Sequence, residues 1–187
     1  RRTSLHSARA VSQRSLHRTI RIGLSAWQSR RGRFLVWCFH QSDRWAPPPL
    51  QEFFVSDTSF ASLALSPALL STLDSLGYHD MTPVQAQSLP PMLVGRDVMA
   101  QAKTGSGKTA AFGLALLSQL RVEAFSVQGL VLCPTRELAD QVAEELRRLA
   151  RGMPNVKVLT LCGGAPFGPQ LASLEHGAHI VVGTPGR

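Results

Sequence analysis

The octapeptide Ala102-Lys103-Thr104-Gly105-Ser106-Gly107-Lys108-Thr109, set between a strand-like run and a long apolar helix, limits what this chain can fold into more than any other segment. A glycine-rich turn that leaves a strand and enters a helix reads as a phosphate-binding loop. Gly105 and Gly107 let the backbone turn tightly and aim successive N–H groups at phosphate oxygens, while the following helix presents the positive end of its dipole. Lys108 is placed to reach the β- and γ-phosphates, and the Thr109 hydroxyl to hold Mg²⁺. The loop departs from the general G-x-x-x-x-G-K-[ST] pattern at one position, because Ala102 stands where the first glycine would be.

The punctuation around the loop extends this unit into an α/β domain. A strand over 97–102 leads into the loop and a helix over 109–120; a strand over 127–133 leads into a helix over 135–151, closed by Gly152. A third strand, 156–162, leads through Gly163-Gly164 into a short helix over 171–176, and 179–182 supplies a fourth strand. Such alternation predicts a parallel sheet covered by helices, with ligand sites at the carboxyl ends of the strands. Upstream, Ser66-Pro67 opens a helix carrying Leu69, Leu70, Leu73 and Leu76 at helical spacing, and Gly77 closes it. Thr82-Pro83 repeats that entry signal, and Pro90-Pro91 is expected to kink or end the second helix. In the helix over 135–151, Leu138, Val142, Leu146 and Leu149 form an inward stripe, with Glu144 and Arg148 as an outward i,i+4 pair. His176 and His179, beside Gly177, read as structural rather than metal-binding, since no second ligand pair lies nearby in sequence.

A chain of 187 residues is long enough for one α/β domain with a real core. Its formal charge of +8 is unevenly placed. Residues 1–50 hold ten arginines against the single acid Asp43, whereas residues 51–187 hold ten basic residues against eleven acidic ones. Three readings of the first segment stand: an Arg/Ser-rich organelle leader, a basic arm that grips RNA phosphates, or a stretch foreign to the domain. It contains all three tryptophans and ends in Pro47-Pro48-Pro49, and its composition separates residues 1–57, expected to be irregular, from the domain. Residues 34–39 could form a short strand, although nothing nearby offers a partner pattern. Cys38, Cys133 and Cys162 form no C-x-x-C pair, which argues against disulfides or zinc and fits a reducing cytoplasm. No apolar stretch approaches the roughly 18 residues of a spanning helix, so a soluble protein without membrane partners is expected.

The variant A-x-T-G-x-G-K-T at 102–109 resembles motif I of DEAD-box RNA helicases, and further segments match that family in order. Residues 77–85, with Tyr78, Thr82 and Gln85, resemble the Q motif within a region spanning 58–86, with Phe60 as its isolated upstream aromatic. The Gln85 amide carries a donor beside an acceptor and can read adenine bidentately, and Phe60 can stack on the base; in a plainer reading Gln85 is a helix surface residue and Phe60 belongs to the core. Pro134-Thr135-Arg136-Glu137-Leu138-Ala139 is similar to motif Ia: a strand end and helix start where Thr135 caps, free N–H groups meet an RNA phosphate, and Arg136 adds a charge. In a plainer reading Arg136 joins a surface ion network with Glu137 and Asp140. Gly163-Gly164 resembles the GG element, where the lack of side chains admits a sugar-phosphate backbone. Thr184-Pro185-Gly186-Arg187 resembles motif Ib. The likeness covers residues 58–187 and is close to the bacterial DbpA-type branch.

Membership implies a RecA-like P-loop lobe, here over 87–187 and partial, in an ATP-dependent, Mg²⁺-requiring enzyme that unwinds short RNA duplexes locally. The branch further implies ribosomal RNA and large-subunit assembly. The sequence contains no Asp-Glu-Ala-Asp, so the carboxylates that would orient the attacking water are not among these residues. The chain itself is therefore expected to bind nucleotide without hydrolysing it. Two readings follow: a fragment of a helicase, or a stand-alone, non-catalytic nucleotide- and RNA-binding module.

Overall fold

The computed structural model describes residues 58–187, together with the backbone of two earlier strands, Thr19–Ser25 (β1) and Phe34–His40 (β2). Helix α1 spans Pro67–Ser75, and the Ser66 hydroxyl accepts the Leu69 N–H at its start. Helix α2, Pro83–Leu93, opens with a reciprocal capping box between Thr82 and Gln85. Three strand–helix units follow. Strand β3, Val98–Lys103, feeds α3, Lys108–Ser118; β4, Gly129–Leu132, feeds α4, Arg136–Leu149; and β5, Val158–Leu161, feeds α5, Phe167–Glu175. Strand β6, Ile180–Gly183, closes the series.

The six strands run in the order β3-β1-β2-β4-β6-β5. From β2 to β5 neighbouring strands are parallel, as the alternating units predict, whereas β1 is antiparallel to both β2 and β3. The strand at 34–39, for which the sequence offers no local partner, thus pairs with β1 on one side and β4 on the other. These two segments are strands rather than the irregular chain expected over 1–57. Their alternation explains the fit: Ile20, Ile22 and Leu24 stand in register with Ala102, Ala100 and Val98, the less exposed half of β3. The remainder of 1–57 lies outside the described residues, and with it the expectations placed there.

Helix α3 occupies the centre. Every residue from Ala110 to Leu117 is buried, so it is apolar on all sides and packs on α2, on α4 and over the sheet. Helix α4 is one-sided: Ala139, Val142, Ala143, Leu146 and Leu149 are buried, while its charged residues face outward. Each buried leucine contributes about 1.5–3 kcal/mol by leaving water, so these two helices anchor the phosphate loop firmly.

Three local expectations change. Helix α2 continues through Pro90 and Pro91 and ends only at Leu93. Each proline removes one N–H donor to the carbonyl four residues back, so the last turn is held by fewer bonds, and Gly95 (φ +76°) completes the reversal. Helix α5 starts at Phe167, because Pro169 lies in its first turn, where a missing N–H costs little. Arg148 pairs with Glu145 at 3.5 Å rather than with Glu144. Tyr78 gathers this pair: its ring lies 5.6 Å from the Arg148 guanidinium, and its hydroxyl donates to Glu145 at 3.4 Å.

His179 is structural. Fully buried, it accepts the Lys157 N–H at Nδ1 (3.0 Å), and its Nε2–H donates to the Val122 carbonyl (2.9 Å). Among the described residues no cluster of three metal-ligating side chains exists, and no helix is long and apolar enough to cross a membrane. Cys133 and Cys162 are buried thiols, and burial pushes that of Cys162 up.

Candidate functional site

At the carboxyl end of β3 the phosphate loop borders a cleft of about 430 Å³. Tyr78, Asp80, Thr82 and Gln85 form one wall; Thr104, Gly105 and Gly107 to Ala110 form the floor; and Leu138, Gln141, Val142 and Glu145 of α4 close the far side. Gly105 (φ +80°) and Gly107 (φ +85°) take left-handed conformations that other residues rarely adopt. Lys108 is only 7 % exposed, and its ammonium sits inside the curl of its own loop. It donates to the Ala102 carbonyl at 2.6 Å, to the Ser106 hydroxyl at 3.2 Å and to the Lys103 carbonyl. Buried charge is tolerable only with such partners, and these three hold the ammonium within the loop.

The upstream wall is braced to the loop. Gln85 is 5 % exposed; its Oε1 accepts the Thr82 N–H (2.8 Å) and its Nε2 donates to the Gly107 carbonyl (3.0 Å). Thr82 Oγ1 donates to the Ser106 carbonyl at 2.8 Å. Each polar atom of the Gln85 amide thus makes one bond to the protein. Phe60 differs from expectation. It is 3 % exposed within the hydrophobic core and does not line the cleft. Its short 3-10 turn is pinned by a Met81 N–H to Thr58 carbonyl bond and by the Ser59–Asp80 bridge, which fold the ring inward. Tyr78 is the aromatic residue that faces the cleft.

The loops that follow β4, β5 and β6 converge at the same edge of the sheet. Pro134 and Thr135 lie in the turn between β4 and α4, and the Thr135 hydroxyl caps α4 by accepting the Leu138 N–H. Arg136 does not pair with Glu137 or Asp140 among the described residues; its Nη1 donates to the Gly163 carbonyl at 2.8 Å. Gly164 takes a left-handed conformation (φ +84°), and a Cβ there would displace that guanidinium. The Thr184 N–H reaches the Leu161 carbonyl (3.2 Å), and Arg187 Nη2 donates to the Ala165 carbonyl (2.8 Å), bringing Thr184, Pro185, Gly186 and Arg187 alongside Gly163 and Gly164. At the start of α4, its own N–H and the Thr135 hydroxyl hold the Glu137 carboxyl below its usual range.

A family model described as DEAD/DEAH box helicase matches residues 82–187, which contain the phosphate loop and all three of these strand-end loops. The chain belongs to the DEAD/DEAH box helicase family. It is 66% identical over 131 residues to the ATP-dependent RNA helicase DbpA of Escherichia coli K12, which covers 70% of this chain and 29% of that protein. The E. coli K12 helicase DeaD is 50% identical over 131 residues, covering 70% of the chain and 21% of the relative. The chain thus spans less than a third of the curated relatives it matches. Among solved structures, a DEAD box protein from Methanococcus jannaschii aligns with a TM-score of 0.64 at 36% identity, covering 71% of this chain and 36% of the other. Dbp5 of S. cerevisiae, solved with RNA and ADP BeF3, aligns with a TM-score of 0.59 at 28% identity over 70% and 32% of the two chains. These matches place the fold in the RecA-like helicase lobe.

In this DEAD-box chain the residues present fit a nucleoside triphosphate. A Cβ at Gly105 would meet open space, so the loop has room above it, and the buried Lys108 ammonium and the start of α3 supply the positive counterpart. For Mg²⁺ the cleft floor offers the Thr109 hydroxyl, and the other ligands would be phosphate oxygens and water. Sequence reasoning missed Leu138, Gln141, Val142 and Glu145 as cleft residues. Their i, i+3, i+4, i+7 spacing is the available signal, but only Leu138 and Val142 belong to the inward stripe, and the polar Gln141 and Glu145 carry no mark of a cleft. It also missed Gln170, whose Nε2 donates to the Cys162 carbonyl at 3.0 Å and so holds the start of the Gly163 loop; no motif marks that residue.

Proposed function

We propose that this chain is the ATP- and RNA-binding part of an ATP-dependent RNA helicase. The observation that carries the reading is that α4 borders both sites. Leu138, Gln141, Val142 and Glu145 wall the nucleotide cleft, while Thr135 and Arg136, at the N-terminus of the same helix, sit among the strand-end loops. A shift of that one rigid element would be felt at both. ATP with Mg²⁺ is the proposed ligand of the cleft, where its phosphates draw the Lys108 ammonium from the loop carbonyls and Thr109 turns its hydroxyl to the metal. Gln85 keeps one amide hydrogen and one lone pair beyond its two bonds to the protein, and these are what it has left to read adenine. Tyr78, rather than Phe60, is the aromatic placed to contact the base.

RNA is the proposed partner of Pro134, Thr135, Arg136, Gly163, Gly164, Thr184, Pro185, Gly186 and Arg187. Ribosomal RNA and a cytoplasmic location are supported by the likeness to the DbpA-type branch. Hydrolysis needs groups beyond those in this sequence, which lacks Asp-Glu-Ala-Asp. The 187-residue chain should therefore bind a fluorescent ATP analogue yet show no RNA-stimulated phosphate release. Lys108→Ala should weaken that binding about tenfold or more, as expected for a charge-assisted phosphate contact. Unchanged affinity in Lys108→Ala would refute the nucleotide assignment, and turnover that depends on Lys108 would refute the non-catalytic one.

A further inference from the structure

We infer that Phe167 is a stacking platform for an unpaired RNA base, adding a base contact to the backbone contacts of the strand-end loops; this rests on the RNA reading above. Phe167 is the first residue of α5, two positions after Ala165, and 61 % of it is exposed, an unusual state for so large an apolar side chain. The Arg187 guanidinium lies 5.6 Å from the centre of its ring while also donating to the Ala165 carbonyl. The ring thus lies at the end of the loop that carries Gly163 and Gly164, where the Gly163 carbonyl anchors Arg136 and a Cβ at Gly163 would meet open space.

A strand whose phosphates follow that loop brings its sugars and bases within reach of the ring. A flat aromatic surface with a cation against it offers stacking and a counter-charge together, the combination that binds single-stranded nucleic acid without regard to sequence. Leu171 and Leu174, one and two turns further along α5, are also exposed. They lengthen the apolar stripe toward a protein-binding face, but only the Phe167 end carries the arginine, and that favours a nucleotide.

The test compares the 187-residue chain and its variants for binding a short single-stranded oligouridylate and an abasic oligomer of equal length and charge, read by fluorescence anisotropy with an ATP analogue present. Phe167→Ala should weaken oligouridylate binding roughly five- to 150-fold, the range of one lost base stack, and leave the abasic oligomer unchanged. Phe167→Leu should behave like Phe167→Ala, and Phe167→Trp should retain affinity with its fluorescence quenched by the base. Equal losses on both oligomers, or wild-type affinity in Phe167→Leu, would overturn stacking in favour of a purely apolar, protein-type surface. Arg136→Ala separates the two readings. If it weakens both oligomers while Phe167→Ala weakens neither, only the stacking platform falls; if the wild-type chain binds neither oligomer, the RNA reading falls with it.

Discussion

Gly107 shows how one residue without a side chain joins the two halves of the nucleotide cleft. At φ +85° any other residue would be strained, and a Cβ there would collide with Gln85 Nε2, the atom that bonds the Gly107 carbonyl. Gly107→Ala should therefore cost about 1–2 kcal/mol of stability from the left-handed backbone alone, and displace the Gln85 brace as well. Urea unfolding should register the first effect, and an affinity for the fluorescent ATP analogue lowered tenfold or more the second. Full nucleotide affinity in Gly107→Ala would show that the brace does not shape the loop. At this scale the phosphate loop was legible because glycine, lysine and threonine at fixed spacing have few other uses. The placement of Phe60 was not, because a lone aromatic before a helix has the same sequence signature whether it meets a base or a core.

At the scale of elements, α3 begins in the floor of the cleft and α4 forms its far side. Gly113 makes their close packing possible: a Cβ at that position would stand 3.0 Å from both Leu146 Cδ2 and Leu149 Cδ1. Gly113→Val should destabilise the domain by about 1–3 kcal/mol, because overpacking outweighs the gain in helix propensity. The urea midpoint should fall while the slope of the transition stays the same; a midpoint at or above that of the wild type would mean the leucines have room to yield. Helices α1 and α4 could be read in advance because caps and apolar spacing agree, with a first-position proline added in α1. The early start of α5 was hidden, since Gly168 and Pro169 look like breakers until the first turn is seen to tolerate them. The partners of β2 were hidden for another reason: β1 and β4 are set by sheet order, which local pattern does not encode.

For the whole molecule the governing quantity is charge. The domain from residue 51 onward is nearly neutral, ten basic residues against eleven acidic, so long-range attraction to a polyanion falls to the ten arginines of residues 1–50. Replacing Arg1, Arg2, Arg9, Arg14 and Arg18 by glutamine removes charge outside β1 and β2 and leaves the pairing segments intact. Each phosphate contact on single-stranded RNA contributes about 0.7 to the slope of log affinity against log salt. The substituted chain should therefore show a slope flatter by 1 or more, on the order of two contacts, whereas Arg136→Ala flattens it by about 0.7. The two changes should differ in a second respect. Loss of the five arginines, a change in net charge, should slow association most at low salt, and loss of Arg136, a single contact, should speed dissociation at every salt concentration. An unchanged slope in the five-fold variant would show that the basic segment takes no part in binding and that the strand-end loops supply the whole of the RNA contact.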